Sequence, residues 1–340
     1  MLTVTHFSKA DSVKGQGVGS AYLELIRLQK TRLKNQLTIK INDYASSDIS
    51  HYHTINPQYF LTSFFKKRGV KVGYVHFLPD TLAGSIKLLG PLQKLMERYV
   101  IAFYKQMDQL VVVNPSFIPE IAAYGIDPNE VTYIPNFVSD QEFFPKDEVA
   151  KKAFRLEQDI DQDQFVVLGV GQIQKRKGID DFIRLAQMNP DKLFVWVGGF
   201  SFGRITDGYE DYKKIYDNPP ANVRFTGIVD RPLMNDWYNL ADVFLLPSYN
   251  ELFPMSILEA FSTHTPVLVR DLDLYRDVID GYYLAAKDVI AWTDCLNRLA
   301  SDASFYQVQL DRAKQGADYY HPDRIAKIWL DYYRSLVKNK

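Results

Sequence analysis

Residues 242–261 read DVFLLPSYNELFPMSILEAF. An apolar run ends at Leu246, a proline-marked loop follows, and a second apolar stretch begins after Pro254. Glu251 and Glu259 stand eight positions apart and invite a reading as catalytic acid and base. In one continuous helix they would lie about 12 Å apart, far beyond the roughly 5–5.5 Å of a retaining carboxylate pair. Pro254 also argues against a continuous helix, because proline favours the first helical turn, where its missing N–H would be unpaired anyway. The stretch therefore predicts a strand, a loop, and a helix starting at Pro254. The amides around Met255 and Ser256 then face outward at the carboxyl end of the strand, where the helix dipole favours a phosphate. Glu251 in the loop and Glu259 inside the helix would flank that phosphate on opposite sides.

The same alternation runs through the chain. LTVTHFS, LTIKIND, SHYHTI, VKVGYVHF and QLVVVN read as strands, with helices over about 19–34, near 57–68 and ending near Met107 between them. After a break come DQDQFVVLGVG, KLFVWVGG, NVRFTG, DVFLLPS and TPVLVR, again separated by amphipathic segments. That order predicts parallel sheets covered by helices on both faces. The polar, proline-marked stretch PNFVSDQEFFPKDEVAKKAF reads as the linker. The expectation is an α/β protein of two facing Rossmann-like, doubly wound domains with a deep cleft between them. The domains are 1–145 and 146–320, and a helix over 321–340 returns to the first domain.

A chain of 340 residues, 46% hydrophobic and 24% charged, is long enough for two cores. Its one cysteine, Cys295, excludes a disulfide framework and cysteine-type zinc sites and fits a reducing, cytoplasmic compartment. The opening MLTVTHFSKAD alternates like a strand and lacks the build of a signal peptide. No run approaches the roughly 18 apolar residues of a membrane-spanning helix. Residues 1–107 carry 15 Lys and Arg against 6 Asp and Glu, and the remainder carries 25 against 35. A basic half suits nucleic acid, anionic lipid or phosphorylated ligands, but no nucleic-acid motif accompanies it, so no nucleic-acid partner is expected.

The E-x7-E element after a strand ending LLPS resembles the donor site of the retaining, GT-B-fold glycosyltransferases of family 4. VLGVGQIQKRKGIDDFI is similar to that family's glycine–basic–lysine–glycine segment, VRFTGIV to its base-binding strand, TPVLVRDLDLYRDVIDG to its last strand and loop, and YIPNFVSD to its interdomain segment. The resemblance covers essentially the whole chain. It implies that Glu251 contacts the donor sugar and Glu259 the nucleotide ribose, while Phe253, Pro254, Met255 and Ser256 hold the diphosphate. Gly227 falls at the base-binding strand. Gln172 stands where the family carries arginine. Because glutamine cannot neutralise a phosphate, Lys177 must supply that charge, with Lys175 and Arg176 as helpers or as a solvated turn.

Gly15, Gly17 and Gly19 form a loop after the first strand, where the resembled family brings diphosphate or acceptor close; their spacing is not that of a dinucleotide site. His76 ends a strand, where doubly wound sheets place ligand groups. The resemblance puts a histidine there near the reacting sugar, with packing as the alternative reading. His53 is the weaker candidate, and His6 and His264 read as packing residues. Asp271 and Asp273 imitate an Asp-x-Asp metal motif, but loop capping is preferred, since the resembled family uses helix dipole and lysine. No cofactor or metal is expected.

Counted as a helix, GSIKLLGPLQKLMERYVIAFYKQM puts Lys87, Lys94, Arg98 and Lys105 on one side and Leu92, Leu95, Met96, Tyr99, Val100 and Phe103 on the other, with a break at Gly90–Pro91. A solvated sheet-covering helix explains its second half. Together with Lys66, Lys67 and Arg68, the first half extends a basic surface suited to anionic lipid. ELFPMSILEA and HFLPD resemble the bacterial enzymes that make diglycosyl-diacylglycerols. The expected function is hexosyl transfer, galactose or glucose, from a UDP-sugar to glucosyl-diacylglycerol by a peripheral protein on the inner face of the cell membrane. Transfer to a soluble or polysaccharide acceptor, and a catalytically silent nucleotide-sugar-binding protein, are the alternatives.

Overall fold

Branched, apolar runs become the inner strands of each sheet because both of their faces are buried, while the edge strands stay partly exposed. This computed structural model describes residues 1–10, 17–76, 78, 90–200, 203 and 208–338. One compact unit contains the first strand, residues Val18–Phe137 and the final helix Pro322–Lys338; the other contains Val138–His321. The division falls at Phe137, earlier than the linker alone suggests. The backbone amides of Phe144 and Lys146 donate to the side chains of Asn235 and Asn239, tying this stretch to the second unit.

The first unit holds β1 (Leu2–Phe7), β2 (Leu37–Ile41), β3 (Ile49–Tyr52), β4 (Val70–Val75), β5 (Gln109–Val112) and β6 (Val131–Tyr133), ordered β2-β1-β3-β4-β5-β6. All pairs are parallel, with His6 opposite His51 between β1 and β3. Val4, Phe7, Tyr52, Val72, Val100, Phe103 and Leu110 are buried in its core. The final helix buries Ile325, Ala326, Trp329 and Tyr333, and Tyr333 Oη lies 2.8 Å from His51 Nδ1.

The second unit holds β7 (Val166–Val170), β8 (Leu193–Val197), β9 (Val223–Gly227), β10 (Val243–Leu246), β11 (Val267–Arg270) and β12 (Leu284–Ala286), ordered β12-β11-β10-β7-β8-β9. These strands are also parallel, and Val243 stands opposite Val167. The chain leaves β7 toward β8 but leaves β10 toward β11, so the order reverses between two neighbouring strands. In open α/β sheets ligands bind at the carboxyl ends of the strands at such a switch point. Phe182, Phe194, Trp196, Leu245, Leu268 and Trp292 form the core beneath it.

Several expectations need correction. The segment near 57–68 is a helix over Pro57–Ser63 followed by a separate tight turn at Lys66–Arg68, because Gly69 at φ +64° ends it. The presumed linker includes the helix Glu148–Glu157, capped by the Asp147 carboxylate on the Ala150 amide. The helix after β10 starts at Met255, since Pro254 has extended ψ and serves as its N-cap. Leu92, Leu95 and Met96 do not face the core. The first turns of the helix Gly90–Lys105 leave them exposed, and only its second half buries Val100, Phe103 and Tyr104.

Candidate active site

Two loops meet at the switch point of the second sheet. After β7 the chain makes a tight turn over Lys175–Lys177 and enters the helix Ile179–Met188 through Gly178 at φ +75°. A Cβ on Gly178 would stand 2.3 Å from the Pro247 carbonyl oxygen, so only glycine lets this turn lie against the loop after β10. The Tyr249 amide donates to the Arg176 carbonyl at 2.9 Å, and Arg176 Nη1 donates to the Asn250 carbonyl at 2.9 Å.

These contacts bring Lys177 Nζ to 2.5 Å from Glu251 Oε1, and Arg176 Nη1 to 3.6 Å from Glu251 Oε2. Lys177 and Glu251 side chains are only 13% and 7% exposed. Burial alone would raise the Glu251 carboxyl, but the Lys177 and Arg176 cations hold it below its ordinary range. Burial lowers the Lys177 ammonium, partly countered by Glu251. Arg176, open to reading as a solvated turn, is thus part of the clamp.

Arg270, at the end of β11, was not singled out in the sequence. It donates to the Pro247 carbonyl at 3.0 Å, reaches Asp181 Oδ2 at 2.5 Å, and stacks 4.0 Å over the Tyr249 ring and 4.8 Å over Trp292. Tyr249 Oη donates to the same Asp181 oxygen at 2.6 Å. A guanidinium held on both faces and along its edge fixes the path of the Glu251 loop. Tyr275, also missed, is buried with a hydroxyl that has no hydrogen-bond partner among the described residues, and burial and the Glu251 charge push it well above its ordinary pKa.

Glu259 belongs to a separate set. Its Oε1 lies 3.1 Å from Arg231 Nη1, and its Oε2 accepts from Tyr238 Oη at 2.7 Å. Arg231 is braced in turn by Glu142 at 2.7 Å. Pro254, the N-cap of the helix Met255–Ser262, gives its first turn no side-chain hydrogen bond, and Phe253 and Pro254 before it are buried. Gln172 Oε1 accepts from Gln174 Nε2 at 2.6 Å. Gly227 ends β9 at φ +75° with its carbonyl taken by the Gly198 amide. Arg276 pairs with Asp271 and Asp273, which engages both carboxylates of the Asp-x-Asp stretch.

In the first unit His76 is buried, and its Nε2 has no partner among the described residues. Burial takes its pKa down to about 3, so the ring is neutral. Gly17 opens the helix Gly17–Arg32; Gly15 and Lys87 lie outside the described residues. Lys66, Lys67 and Lys94 are exposed. Arg68 is not a surface cation: it is 1% exposed, donates to the Asp43 and Tyr44 carbonyls, and sits 5.5 Å over the Phe7 ring. Those loop carbonyls after β2 have drawn it inward. Among the described residues no helix is long and apolar enough to cross a membrane.

The family described as "Glycosyl transferases group 1" matches residues 150–316, and "Glycosyltransferase Family 4" matches residues 20–142. The α-galactosylglucosyldiacylglycerol synthase of Streptococcus pneumoniae is 46% identical over 98% of this chain and 89% of its own. A processive diacylglycerol α-glucosyltransferase of Acholeplasma laidlawii is 37% identical over 37% of each chain. Among solved structures, a sucrose-phosphate synthase from Thermosynechococcus elongatus superposes with a TM-score of 0.81 at 15% identity over all of both chains. Anabaena HepE in complex with UDP-glucose gives 0.79 at 13% identity, over 98% of this chain and 100% of its own. These likenesses establish the GT-B fold.

Proposed function

Because this chain belongs to the group 1 and family 4 glycosyltransferases, we propose that it moves a galactosyl residue from UDP-galactose to glucosyl-diacylglycerol with retention of the α configuration. The observation that carries this reading is the 46% identity to the pneumococcal synthase across nearly the whole chain, joined to the Lys177–Glu251 pair at the switch point.

In this reading the donor lies on the second unit. Glu251 accepts hydrogen bonds from the sugar hydroxyls, and Glu259 keeps a lone pair on each oxygen for the ribose. The first-turn amides of the helix Met255–Ser262 and the Lys177 ammonium hold the diphosphate. The sugar–oxygen bond breaks with its electron pair going to the β-phosphate, where Lys177 and the helix dipole stabilise the charge. The acceptor hydroxyl attacks from the face the diphosphate leaves and gives its proton to that phosphate oxygen. Lys177 and the helix supply the positive charge, so the reaction needs no metal. Gln172 adds hydrogen bonding without charge, and neutral His76 orients an acceptor or donor hydroxyl.

An exposed apolar group beside cations supports work at a membrane surface. Leu61, Phe64 and Phe65 stand next to Lys66 and Lys67 in the chain, and Leu92, Leu95 and Met96 share the exposed first turns of the helix Gly90–Lys105 with Lys94. Phe60 joins the two elements through Tyr99 and Phe103. Such a surface suits peripheral binding to an anionic leaflet, where the diacylglycerol anchor of the acceptor resides.

The test supplies UDP-galactose or UDP-glucose with diacylglycerol or glucosyl-diacylglycerol in vesicles, weighs the lipid products and reads their anomeric configuration. An α-linked galactosyl-glucosyl product is expected. Transfer only to a soluble sugar, or none with either donor, would refute the reading.

A further inference from the structure

Apart from the donor site, the first sheet carries a cluster of histidines that the proposed transfer does not use. His6 on β1 stands in register with His51 on β3, and His53 follows two residues later, on the same face. One ring nitrogen from each of the three lies within 4.8 Å of the others, and all three side chains are fully or nearly fully buried. Their ring centres are 5.1, 5.1 and 4.2 Å apart. With zinc–nitrogen bonds near 2.0–2.1 Å and tetrahedral angles, neighbouring imidazole centres sit roughly 5 Å apart.

Metal-bound histidines need a partner on the nitrogen that does not ligate, and His6 and His51 have one; His53 does not, and its Nε2 is hydrogen-bonded to His6 Nδ1. His6 Nε2 donates to Gln29 Oε1 at 2.7 Å, which leaves a lone pair on Nδ1, and that atom is 2.8 Å from His53 Nε2. His51 Nδ1 is 2.8 Å from Tyr333 Oη, which also receives the Gln29 amide at 3.1 Å. His51 Nε2 and His53 Nδ1 have no partner among the described residues. As its Nδ1–H tautomer, His51 donates to Tyr333 and presents a lone pair at Nε2. Tyr22, Tyr74 and Trp329 wall the cluster.

From this arrangement we propose that His6, His51 and His53 form a structural site for a zinc-type divalent ion, which fastens the final helix to the sheet through Tyr333. Binding replaces the His6–His53 hydrogen bond and draws the three nitrogens, within 4.8 Å of one another in the chain alone, to the roughly 3.3 Å spacing of a tetrahedral set. Imidazole ligands alone suit zinc, nickel, copper and iron rather than magnesium or calcium. The ion takes no part in the transfer chemistry, whose charges come from the second unit.

The experiment uses the full chain, stripped with EDTA, desalted, and mixed with zinc sulfate or cobalt chloride. Expected results are stoichiometric zinc retained through a second desalting, the visible bands of tetrahedral cobalt, and a Tm raised by roughly 5–10 °C at free zinc about 100-fold above Kd. His51→Phe combined with His53→Phe should abolish all three, while His321→Ala, which removes a half-buried histidine outside the cluster, should leave them. Zinc that washes out, or a zinc-dependent Tm rise that survives the double substitution, would overturn the proposal. If the double variant does not fold, the cobalt spectrum of the unsubstituted chain decides, and octahedral bands or none reject the site.

Discussion

Lys177 Nζ lies 2.5 Å from Glu251 Oε1, with both side chains nearly closed off from solvent. The two groups that meet the leaving diphosphate and the sugar in the proposed reaction are therefore each other's counter-ion in the chain alone. Lys177→Met or Glu251→Gln is expected to lower kcat by about 10²–10³. Glu251→Gln also leaves the buried Lys177 charge unpaired, at about 3–5 kcal/mol of stability, and Lys177→Met costs less because Arg176 still faces Glu251. Combining both should restore much of the stability and none of the activity, which urea denaturation beside transfer rates would reveal.

The pH profile should report this pair. Burial lowers Lys177 below the usual lysine value of 10.5, so its charge is lost as pH rises through that lowered pKa. Glu251 is held below 4.5 and stays ionised until the medium is more acid than that. We expect kcat/KM to fall on the alkaline side before an ordinary lysine would titrate. The same limb in kcat should lie at higher pH, because bound diphosphate favours the ammonium. Coincident limbs in the two profiles would remove Lys177 from the diphosphate.

Gly178→Ala tests the loop contact itself. The new Cβ meets the Pro247 carbonyl at 2.3 Å in a left-handed backbone. Separating the turn from the Glu251 loop should cost about 1–3 kcal/mol of stability and at least tenfold in kcat. Unchanged kinetics would show that the loops need not touch.

Arg270→Lys keeps the charge at the end of β11 but not the planar stacking between Tyr249 and Trp292 or the reach to the Pro247 carbonyl. Donor KM should rise and kcat fall together, by about tenfold or more each, with little change in Tm. A loss confined to stability would make Arg270 a packing residue only.

For the apolar surface, Phe64→Ser with Leu95→Ser should weaken flotation with anionic vesicles by more than tenfold, roughly 1.5–3 kcal/mol for each inserted side chain. Transfer to a short-chain, soluble acceptor should be unaffected. Equal vesicle binding by this variant would place the membrane contact elsewhere.

Ten of the strands were legible because a strand buried on both faces must be written as an apolar run. The three-residue β6 and β12 carry too short a pattern to stand out. The helix after Pro254 could be found because local sequence makes the loop and the helix start, whereas Glu251 and Lys177 were marked by the family resemblance. Arg270 and Asp181 could not, since they are 89 positions apart and meet only through the strand order. The error at Arg68 has the same origin: a cation in a basic run looks solvated until the carbonyls that receive it are placed. Leu92 and Leu95 misled in the opposite direction, because helical periodicity shows that a face is apolar and not what covers it.

The helix Pro322–Lys338 completes a core whose first strand, Leu2–Phe7, is synthesised long before it. At about 5–20 residues per second, β1 and β3 wait for tens of seconds before Trp329 and Tyr333 emerge. Throughout synthesis the buried histidine face lacks its lid, while Val138–His321 can close independently. The second unit is thus the first to mature, and the opening segment of the chain is among the last to settle. A chain lacking Pro322–Lys338 would keep Val138–His321 whole and leave the core of the first unit uncovered, a substrate for chaperones and proteases rather than a slightly shortened enzyme.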